Sequence, residues 1–517
     1  MPGARLTEPE QLSGTLLTRN WVLNLAGWIV PLSVALVAIP YVVRGLGAER
    51  FGALSIASAL LGYFGIFDLG LGRATTKFVA EALARSDPER LPQVVWTSLW
   101  VQLLFGAAGT LITLSLVPIA VDRYLKLSPA LVAETRTSLY ILALCLTVVL
   151  IGNALRGVLE AGQMFDIVNY VKVPINTSMF LLPAVGVFLG LSLPGIVWML
   201  VFARIVASLA YFVACLRYFP ALRGHYLPHR HFVRPLLAYG GWVTISNFIT
   251  PLLAYIDRFF IGSMVSMSAV GFYSAPYEAV NRAWVVPATL AATLFPAFTN
   301  LDAGGSRRRL EELCARSLKS LLLISAPTLL ILALFARQVL RVWLGADFAS
   351  QSTSTLQILA LGMSVNSIAL VPFSLLQGVG RPDLTGIFSL IEFAFQIVCC
   401  WLLVRRFGIS GAAIAWSLKS LLDAVLMFGS VFWLNLISFT SLLENGLRRT
   451  LIAVGILGLS LAVLWRANGT FLTQVLVAAM LLLGFILFSW NHVLDSRDRS
   501  LMLGTVSHVR LAFARAR

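Results

Sequence analysis

Apolar residues in this chain form long continuous runs and do not alternate with polar residues. A transmembrane α-helix needs about 20 predominantly apolar residues, whereas the strands of a membrane β-barrel alternate in polarity. The pattern therefore predicts an all-α polytopic membrane protein with fourteen spans joined by short connections. The predicted spans are 20–43, 52–72, 93–121, 138–158, 167–191, 194–219, 236–263, 269–298, 315–336, 354–379, 384–404, 409–434, 449–465 and 471–490.

The composition agrees with a membrane protein. Of the 517 residues, 58% are hydrophobic and 12% are charged, whereas a soluble domain has about 45–50% and about 25%. Short connections leave no room for an extramembrane catalytic segment, which argues against an enzyme such as a polysaccharide polymerase or ligase. The polar first nineteen residues precede a long apolar run without a small-residue cleavage site, so we expect no cleaved signal peptide.

The net charge of +16 would be compatible with nucleic acid, but its distribution indicates membrane orientation instead. Lys and Arg are densest in 217–234, 301–319 and the tail 491–517. Basic connections remain on the cytoplasmic side, so both termini are predicted to be cytoplasmic. The rest of the excess is attributed to attraction to anionic lipid surfaces.

The two halves of the chain echo each other at a separation near 218 residues, which predicts an internal repeat of six helices. The matching features are Pro31 with Pro251, Gly52 with Gly271, Gly162 with Gly380, and Gly195 with Gly411. An even number of helices returns the second copy to the same orientation. The repeat is therefore parallel, and two six-helix lobes are expected to enclose a central cavity that holds the site.

The repeat and the spans together divide the chain into six parts. They are a cytoplasmic N-terminal segment 1–19, an N-lobe 20–219, a basic cytoplasmic inter-lobe loop 220–235, a C-lobe 236–435, two further spans in 436–490, and a basic cytoplasmic tail 491–517.

Charged residues inside spans are the strongest candidates for function, because each costs about 2.5–3.5 kcal/mol at a helix centre. Two pairs, Glu278 with Arg282 and Lys419 with Asp423, have the i,i+4 spacing that lets side chains meet. Adjacent Asp257 and Arg258 project about 100° apart on a helix. Glu392 has no evident partner.

We predict a cavity for an anionic group. Its proposed lining is Arg258, Arg282, Lys419, Arg204, Asn24, Asn247 and Asn281. The acidic residues Asp257, Glu278 and Asp423 would tune it or carry coupled protons, and Asp68, Arg73 and Lys77 would form a cytoplasmic gate. The alternative is that these charges are structural ion pairs and an ordinary positive-inside flank.

No cofactor or metal is predicted. The five cysteines lie in or beside apolar runs without paired spacing. The histidines at 225, 229 and 231 are read as part of a solvated basic loop. The absence of a phosphate-binding Gly-rich loop points to transport driven by an ion gradient, by membrane potential or by the substrate gradient.

Two motifs carry a family resemblance over about 1–440. The stretch Leu46-Gly-Ala-Glu-Arg-Phe-Gly52 through Phe67-Asp-Leu-Gly-Leu-Gly-Arg73, and Ile256-Asp-Arg-Phe-Phe-Ile-Gly262 followed by Val270-Gly-Phe-Tyr-Ser-Ala-Pro-Tyr277, resemble bacterial Wzx-type O-antigen and polysaccharide flippases. These belong to the multidrug/oligosaccharidyl-lipid/polysaccharide (MOP) exporter superfamily.

The resemblance implies a V-shaped bundle of two lobes that works by alternating access. It also implies a polyprenyl-pyrophosphate-linked oligosaccharide as substrate, moved to the outer leaflet of the bacterial inner membrane. Membrane lipids and polysaccharide-assembly proteins are the further partners that it implies.

Fourteen spans depart from the commoner twelve of these flippases. This departure keeps a lipid-linked peptidoglycan precursor flippase, whose last two helices are thought to form a lipid groove, as an alternative. A cation-coupled multidrug exporter and a structural scaffold for envelope assembly are two more hypotheses. Four basic residues in spans argue against the exporter, and the intramembrane charges argue against the scaffold.

Overall fold

The computed structural model describes residues 14–63, 71–84, 89–162, 164–224, 227–303, 307–466 and 471–495, and its regular elements there are all helical. The α-helices are α1 (Gly14–Tyr63), α2 (Leu71–Ala84), α3 (Arg90–Ile119), α4 (Pro129–Ala161), α5 (Phe165–Phe188), α6 (Leu193–Tyr218), α7 (Arg230–Met264), α8 (Met267–Ala283), α9 (Val285–Ala303), α10 (Arg307–Leu334), α11 (Ala336–Trp343), α12 (Ala346–Gly378), α13 (Pro382–Trp433), α14 (Phe439–Leu442), α15 (Arg448–Arg466) and α16 (Phe471–Phe488).

The two longest helices each contain a sharp turn at a glycine. Gly47 in α1 has a φ of 76°, and Gly408 in α13 has a φ of 57°. Glycine adopts positive φ at little cost because it has no Cβ. Each turn separates two predicted spans, so α1 begins with the first span and enters the second, and α13 holds the eleventh and twelfth.

Other elements differ from the predicted pattern. The predicted span 269–298 is divided between α8 and α9, and the short amphipathic α11 follows α10 where no separate helix was predicted. Within the described ranges, nine helices are long and apolar enough to cross a membrane. The number of fourteen spans stays a prediction.

The repeat predicted from sequence has a direct structural counterpart where α1 meets α8. A Cβ built on Gly52 would overlap the carbonyl oxygen of Met267, and one built on Gly271 would overlap that of Ala48. Gly52 and Gly271 are 219 residues apart, and so are Ala48 and Met267, so each copy makes the other's contact. Such reciprocity is the mark of a two-fold axis, which here runs between the two glycines.

A second contact is repeated inside each half. The Ser208 hydroxyl on α6 donates to the Val148 carbonyl on α4 at 3.1 Å, and the Ser417 hydroxyl on α13 donates to the Ile358 carbonyl on α12 at 3.0 Å. One turn beyond each acceptor, a glycine leaves room for the serine. Small residues and interhelical hydroxyl bonds are the usual means of helix packing in lipid.

The helices after α13 lie outside this repeat. Helices α15 and α16 pack on α10 and α11 through an apolar cluster that includes Phe335, Leu457 and Phe485. The fully buried Lys319 of α10 pairs with Asp495, beyond α16, at 3.4 Å. The two C-terminal helices are thus fastened to one side of the repeat, beside α10 and α11.

Candidate functional site

A polar cavity of about 230 Å³ lies between α1, α5, α7 and α8. We call it the polar cavity. Its lining is Ile39, Val42, Phe51, Leu54, Ser55, Ser58, Met179, Phe180, Pro183, Tyr255, Arg258, Glu278, Asn281 and Arg282. Four residues predicted as site residues, Arg258, Glu278, Asn281 and Arg282, therefore face one space.

Two arginines of the polar cavity share one carboxylate. Arg258 Nη2 lies 3.2 Å from Glu278 Oε1, and Arg282 Nη2 lies 2.9 Å from Glu278 Oε2. The second pair has the i,i+4 spacing noted in the sequence, whereas the first joins α7 to α8. The Glu278 and Arg282 side chains each remain 25% exposed, while that of Arg258 is 3% exposed. Hence Glu278 holds both cations at the cavity wall.

Aromatic rings fix the same guanidinium groups. The Arg258 Cζ lies 4.9 Å from the ring centre of Tyr255 and 5.0 Å from that of Tyr277, and the Arg282 Cζ lies 4.5 Å from the ring centre of Phe180. A guanidinium over a ring face gains about 0.5–2 kcal/mol. Among the described residues, the Nε of each arginine is buried and has no hydrogen-bond partner.

Asp257 does not line the polar cavity. It is fully buried, accepts from the Arg258 backbone N–H at 2.8 Å, and accepts from the Tyr273 hydroxyl on α8. Its neighbour Arg258 reaches the cavity, as expected for adjacent residues that project in different directions. Asp257 therefore braces α7 against α8 behind the arginine.

A larger apolar groove of about 660 Å³ lies between α1, α8, α10, α11 and α16. We call it the apolar groove. Most of its lining is aliphatic or aromatic, and Leu36 and Val342 at its edge are 63% and 74% exposed. It shares Ile39, Glu278 and Arg282 with the polar cavity. The polar cavity and the apolar groove, whose edge is exposed, therefore meet at the same three residues.

The remaining predicted residues lie elsewhere. Arg204 donates to the Met179 sulfur at 3.5 Å, one side chain behind the cavity wall. Lys419 lies 3.7 Å from Glu392, the acidic residue for which the sequence offered no partner. Neither Lys419 nor Asp423 lines the polar cavity or the apolar groove. Lys77 is half exposed and lies 3.9 Å from Glu81 on α2.

Four predicted positions cannot be placed in the same way. Asn24, Asn247 and Arg73 lie on α1, α7 and α2, but their side chains are outside the described residues, and Asp68 is outside altogether. In the described part of the chain, no three His, Cys, Asp or Glu side chains gather as metal ligands.

Sequence reasoning missed the aromatic residues that hold the arginines and the whole apolar groove. Tyr255 precedes Arg258 by three residues on α7, a spacing at which side chains meet, so this contact had a signal in the sequence. Phe180 and the α16 wall come from distant segments and had none.

Comparison with known proteins places this architecture among transporters. The family model described as polysaccharide biosynthesis protein matches residues 17–302, and the model MatE matches 243–402. The chain is 32% identical over 414 residues to the protein named as an O-antigen transporter in Shigella flexneri, which covers 80% of this chain and 96% of that one.

Solved structures share the fold at lower identity. An inward-facing multidrug resistance MATE family transporter of the MOP superfamily superimposes with a TM-score of 0.67 at 17% identity, over 79% of this chain and 98% of that one. The lipid II flippase MurJ in an inward closed conformation gives a TM-score of 0.67 at 14% identity, over 91% and 98%.

Proposed function

Because the chain belongs to the polysaccharide biosynthesis protein family of the MOP superfamily, we propose that it flips a lipid-linked oligosaccharide across the bacterial inner membrane. The substrate class is an O-antigen or exopolysaccharide repeat unit on a polyprenyl pyrophosphate. The chain acts as a multi-pass transporter and not as an enzyme, with both termini in the cytoplasm. Polysaccharide-assembly proteins are its proposed partners.

The observation that carries this proposal is the junction of the polar cavity with the apolar groove at Ile39, Glu278 and Arg282. A polyprenyl-pyrophosphate glycan has an anionic linkage between a polar sugar and an apolar tail. The junction offers each part a matching surface in that order. A pyrophosphate at the arginines would place the sugar in the polar cavity and the tail in the apolar groove.

Binding of the anion follows from the local charges. Glu278 and Asp257 balance Arg258 and Arg282, so the empty cluster carries no net charge. The Arg282 side chain is 25% exposed at the cavity wall, and guanidinium forks match phosphate oxygens. An arriving pyrophosphate would therefore share the two arginines with Glu278 instead of binding to a preformed excess of positive charge.

Alternating access would then carry the headgroup across. We propose that Asp68, Arg73 and Lys77 contact the headgroup on the cytoplasmic side, and that Arg204 and the asparagines Asn24, Asn247 and Asn281 contribute polar contacts along the path. The half-exposed position of Lys77 on α2 supports a surface role.

A second candidate function keeps the same transport chemistry with a different sugar. The likeness to the MurJ structure extends over 91% of this chain, so a lipid-linked peptidoglycan precursor is the second candidate substrate. A multidrug exporter is less compatible, because a soluble drug gives no use to a channel that α16 helps to line.

Reconstitution in liposomes tests the proposal. The full chain is incorporated with a polyprenyl-pyrophosphate sugar or a lipid-linked peptidoglycan precursor, and flipping is scored as protection from, or exposure to, an external glycosidase. We expect flipping of the first substrate, and its loss in Arg282→Ala with unchanged protein yield. Arg308→Ala is the matched control, because that side chain is 90% exposed. Wild-type flipping by Arg282→Ala would remove Arg282 from the mechanism, and wild-type flipping by Arg258→Ala as well would refute the anion-binding cavity.

A further inference from the structure

The turn between α7 and α8 is held by one residue from the other half of the chain. Helix α7 ends at Met264 and α8 begins at Met267, and the end groups of a helix lack partners within it. The Lys126 N–H donates to the Gly262 carbonyl at 2.9 Å, and the Lys126 carbonyl accepts from the Met267 N–H at 3.1 Å. The backbone of Lys126 therefore satisfies one group at each of the two helix ends.

The Lys126 side chain adds a third bond at the same turn. Its Nζ donates to the Met264 carbonyl, the last of α7, at 2.6 Å. A cation is favoured at a helix C-terminus because the aligned peptide dipoles leave a partial negative charge there. The ammonium is exposed, so dissolved salt weakens this bond by screening.

An apolar plug lies beside these bonds and joins the same two halves of the chain. A Cβ built on Gly262 would lie 3.2 to 3.3 Å from side-chain atoms of Ile56, Leu125 and Val270. Ile56 and Leu125 belong to the first half of the chain, and Val270 belongs to the second. Ile56 and Val270 are 1% and 0% exposed. Because Leu125 directly precedes Lys126, the bonds of Lys126 also hold Leu125 in the plug.

The plug separates the α7–α8 turn from the polar cavity. Gly262 lies one helical turn after Arg258 on α7, and Val270 lies two turns before Glu278 on α8. The cavity residues, the plug and the turn therefore follow one another along the same two helices. In the proposed orientation, α7 starts in the cytoplasm, so its C-terminus and the plug lie on the outer side of the cavity.

We propose that Lys126 is a positioning residue that keeps the outer side of the polar cavity closed. Opening on that side requires the two halves to separate at the plug, and this separation breaks all three bonds of Lys126. The closure itself rests on these contacts. Its use in transport, as the step that admits the headgroup to the outer side, rests on the proposed flippase function.

The corresponding position in the second copy of the repeat carries no such side chain. Gly345 follows Lys126 by the repeat separation of 219 residues. The C-terminus of α11 is approached instead by Arg44, whose Nη2 lies 3.5 Å from the Val342 carbonyl oxygen and 3.4 Å from that of Trp343. The bonds of Lys126 are shorter and include two from its backbone. We therefore assign the main closing contact to Lys126.

Cysteine accessibility tests the closure without any substrate. Ser58, a half-buried residue of the polar cavity, is changed to cysteine in the full chain after the native cysteines are replaced. Spheroplasts are treated with a charged, membrane-impermeant methanethiosulfonate, and the labelling rate is measured. We expect the rate to rise about three- to tenfold in Lys126→Met. It should rise further in Lys126→Pro, which also removes the N–H donor.

Three comparisons distinguish a positioning role from a general loosening of the fold. Lys126→Arg keeps a cation and should restore the wild-type rate. Arg123→Met, at an exposed residue of the same segment, is the matched control and should label like wild type. Higher ionic strength should speed labelling in wild type but not in Lys126→Met, because screening acts on the ammonium that only wild type has.

Unchanged labelling in both Lys126→Met and Lys126→Pro would overturn the inference, as would an equal rise in Arg123→Met. A rise seen only in inside-out vesicles would overturn the assignment of the plug to the outer side. Helical circular dichroism and a single gel-filtration peak establish that each variant is folded. Faster labelling of Lys126→Met with no flipping of any lipid-linked glycan by wild type would leave the closure standing and refute the proposed function.

Discussion

The glycine contact between α1 and α8 makes a testable prediction about the conformational cycle. Gly52 and Gly271 let two backbones approach so closely that a Cβ on either residue would overlap a carbonyl oxygen of the other helix. The obstructing atoms belong to backbone and not to the end of a flexible side chain. Gly271→Ala therefore cannot be accommodated by a rotamer change, and the two helices must separate.

The size of the effect follows from this geometry. Inserting an extra methyl group into a tight contact costs about 1–3 kcal/mol. If the two halves rock apart during transport, the cost falls only on the state in which this contact is closed. The equilibrium should then move away from that state by about 5- to 150-fold, while the fold itself is retained.

Cysteine cross-linking measures this shift. Arg44 on α1 and Val342 on α11 lie against each other, because Arg44 Nη2 is 3.5 Å from the Val342 carbonyl oxygen. With these two residues changed to cysteine and the native cysteines replaced, a short bifunctional maleimide should cross-link the parent rapidly. We expect the rate to fall at least about fivefold in Gly271→Ala.

Gly429→Ala is the matched control, since nothing lies within 4 Å of a Cβ at that position. It should cross-link like the parent. An unchanged rate in folded Gly271→Ala would show that the contact persists throughout the cycle and would refute the reasoning.

Three further predictions concern the groove, the stacked arginine and the topology. Ala479→Trp should block the apolar groove and abolish flipping in liposomes, whereas Met480→Trp on the same helix, at a side chain 63% exposed, should not. Arg258→Lys should reduce the flipping rate at least about tenfold despite its retained charge. Lysine lacks the planar guanidinium group, which in Arg258 contacts Glu278 and lies over two aromatic rings. Retained flipping in Ala479→Trp would contradict the proposed path of the tail, and retained flipping in Arg258→Lys would contradict the proposed headgroup site. Reporter fusions should place residues 1 and 517 in the cytoplasm, and an external C-terminus would contradict the fourteen-span count.

Sequence alone predicted much of the fold, because bilayer-spanning helices need continuous apolar runs and helix turns need glycine or proline. The predicted gap between spans 384–404 and 409–434 contains the Gly408 turn. The separation near 218 was inferred from matching glycine and proline positions, each of which is a weak signal alone. It reappears in the structure as the reciprocal contact around Gly52 and Gly271, which are 219 residues apart. The amphipathic α11 was missed because it is too short and polar to be read as a span.

The site was predicted less completely. Neighbours on one helix follow from spacing, and Glu278 with Arg282 was found in this way. Partners on different segments do not, so Glu392 was left unpaired in the sequence although Lys419 lies 3.7 Å away. For Lys419, spacing pointed to Asp423 and a cavity position, whereas the Gly408 turn brings it to Glu392.

The repeat has two-fold symmetry, but the charged residues that line the polar cavity come from one copy only. This asymmetry explains how one junction could bind a molecule with a charged part and an apolar part. Ile39 and Arg258 are 219 residues apart and both line the polar cavity. Ala59 occupies the position that corresponds to Glu278 and is fully buried. A second charged copy would add about 2.5–3.5 kcal/mol for each buried charge. It would also place a guanidinium where the cavity opens into the apolar groove, at Ile39. Divergence of the repeat therefore confines the charged lining of the polar cavity to one copy.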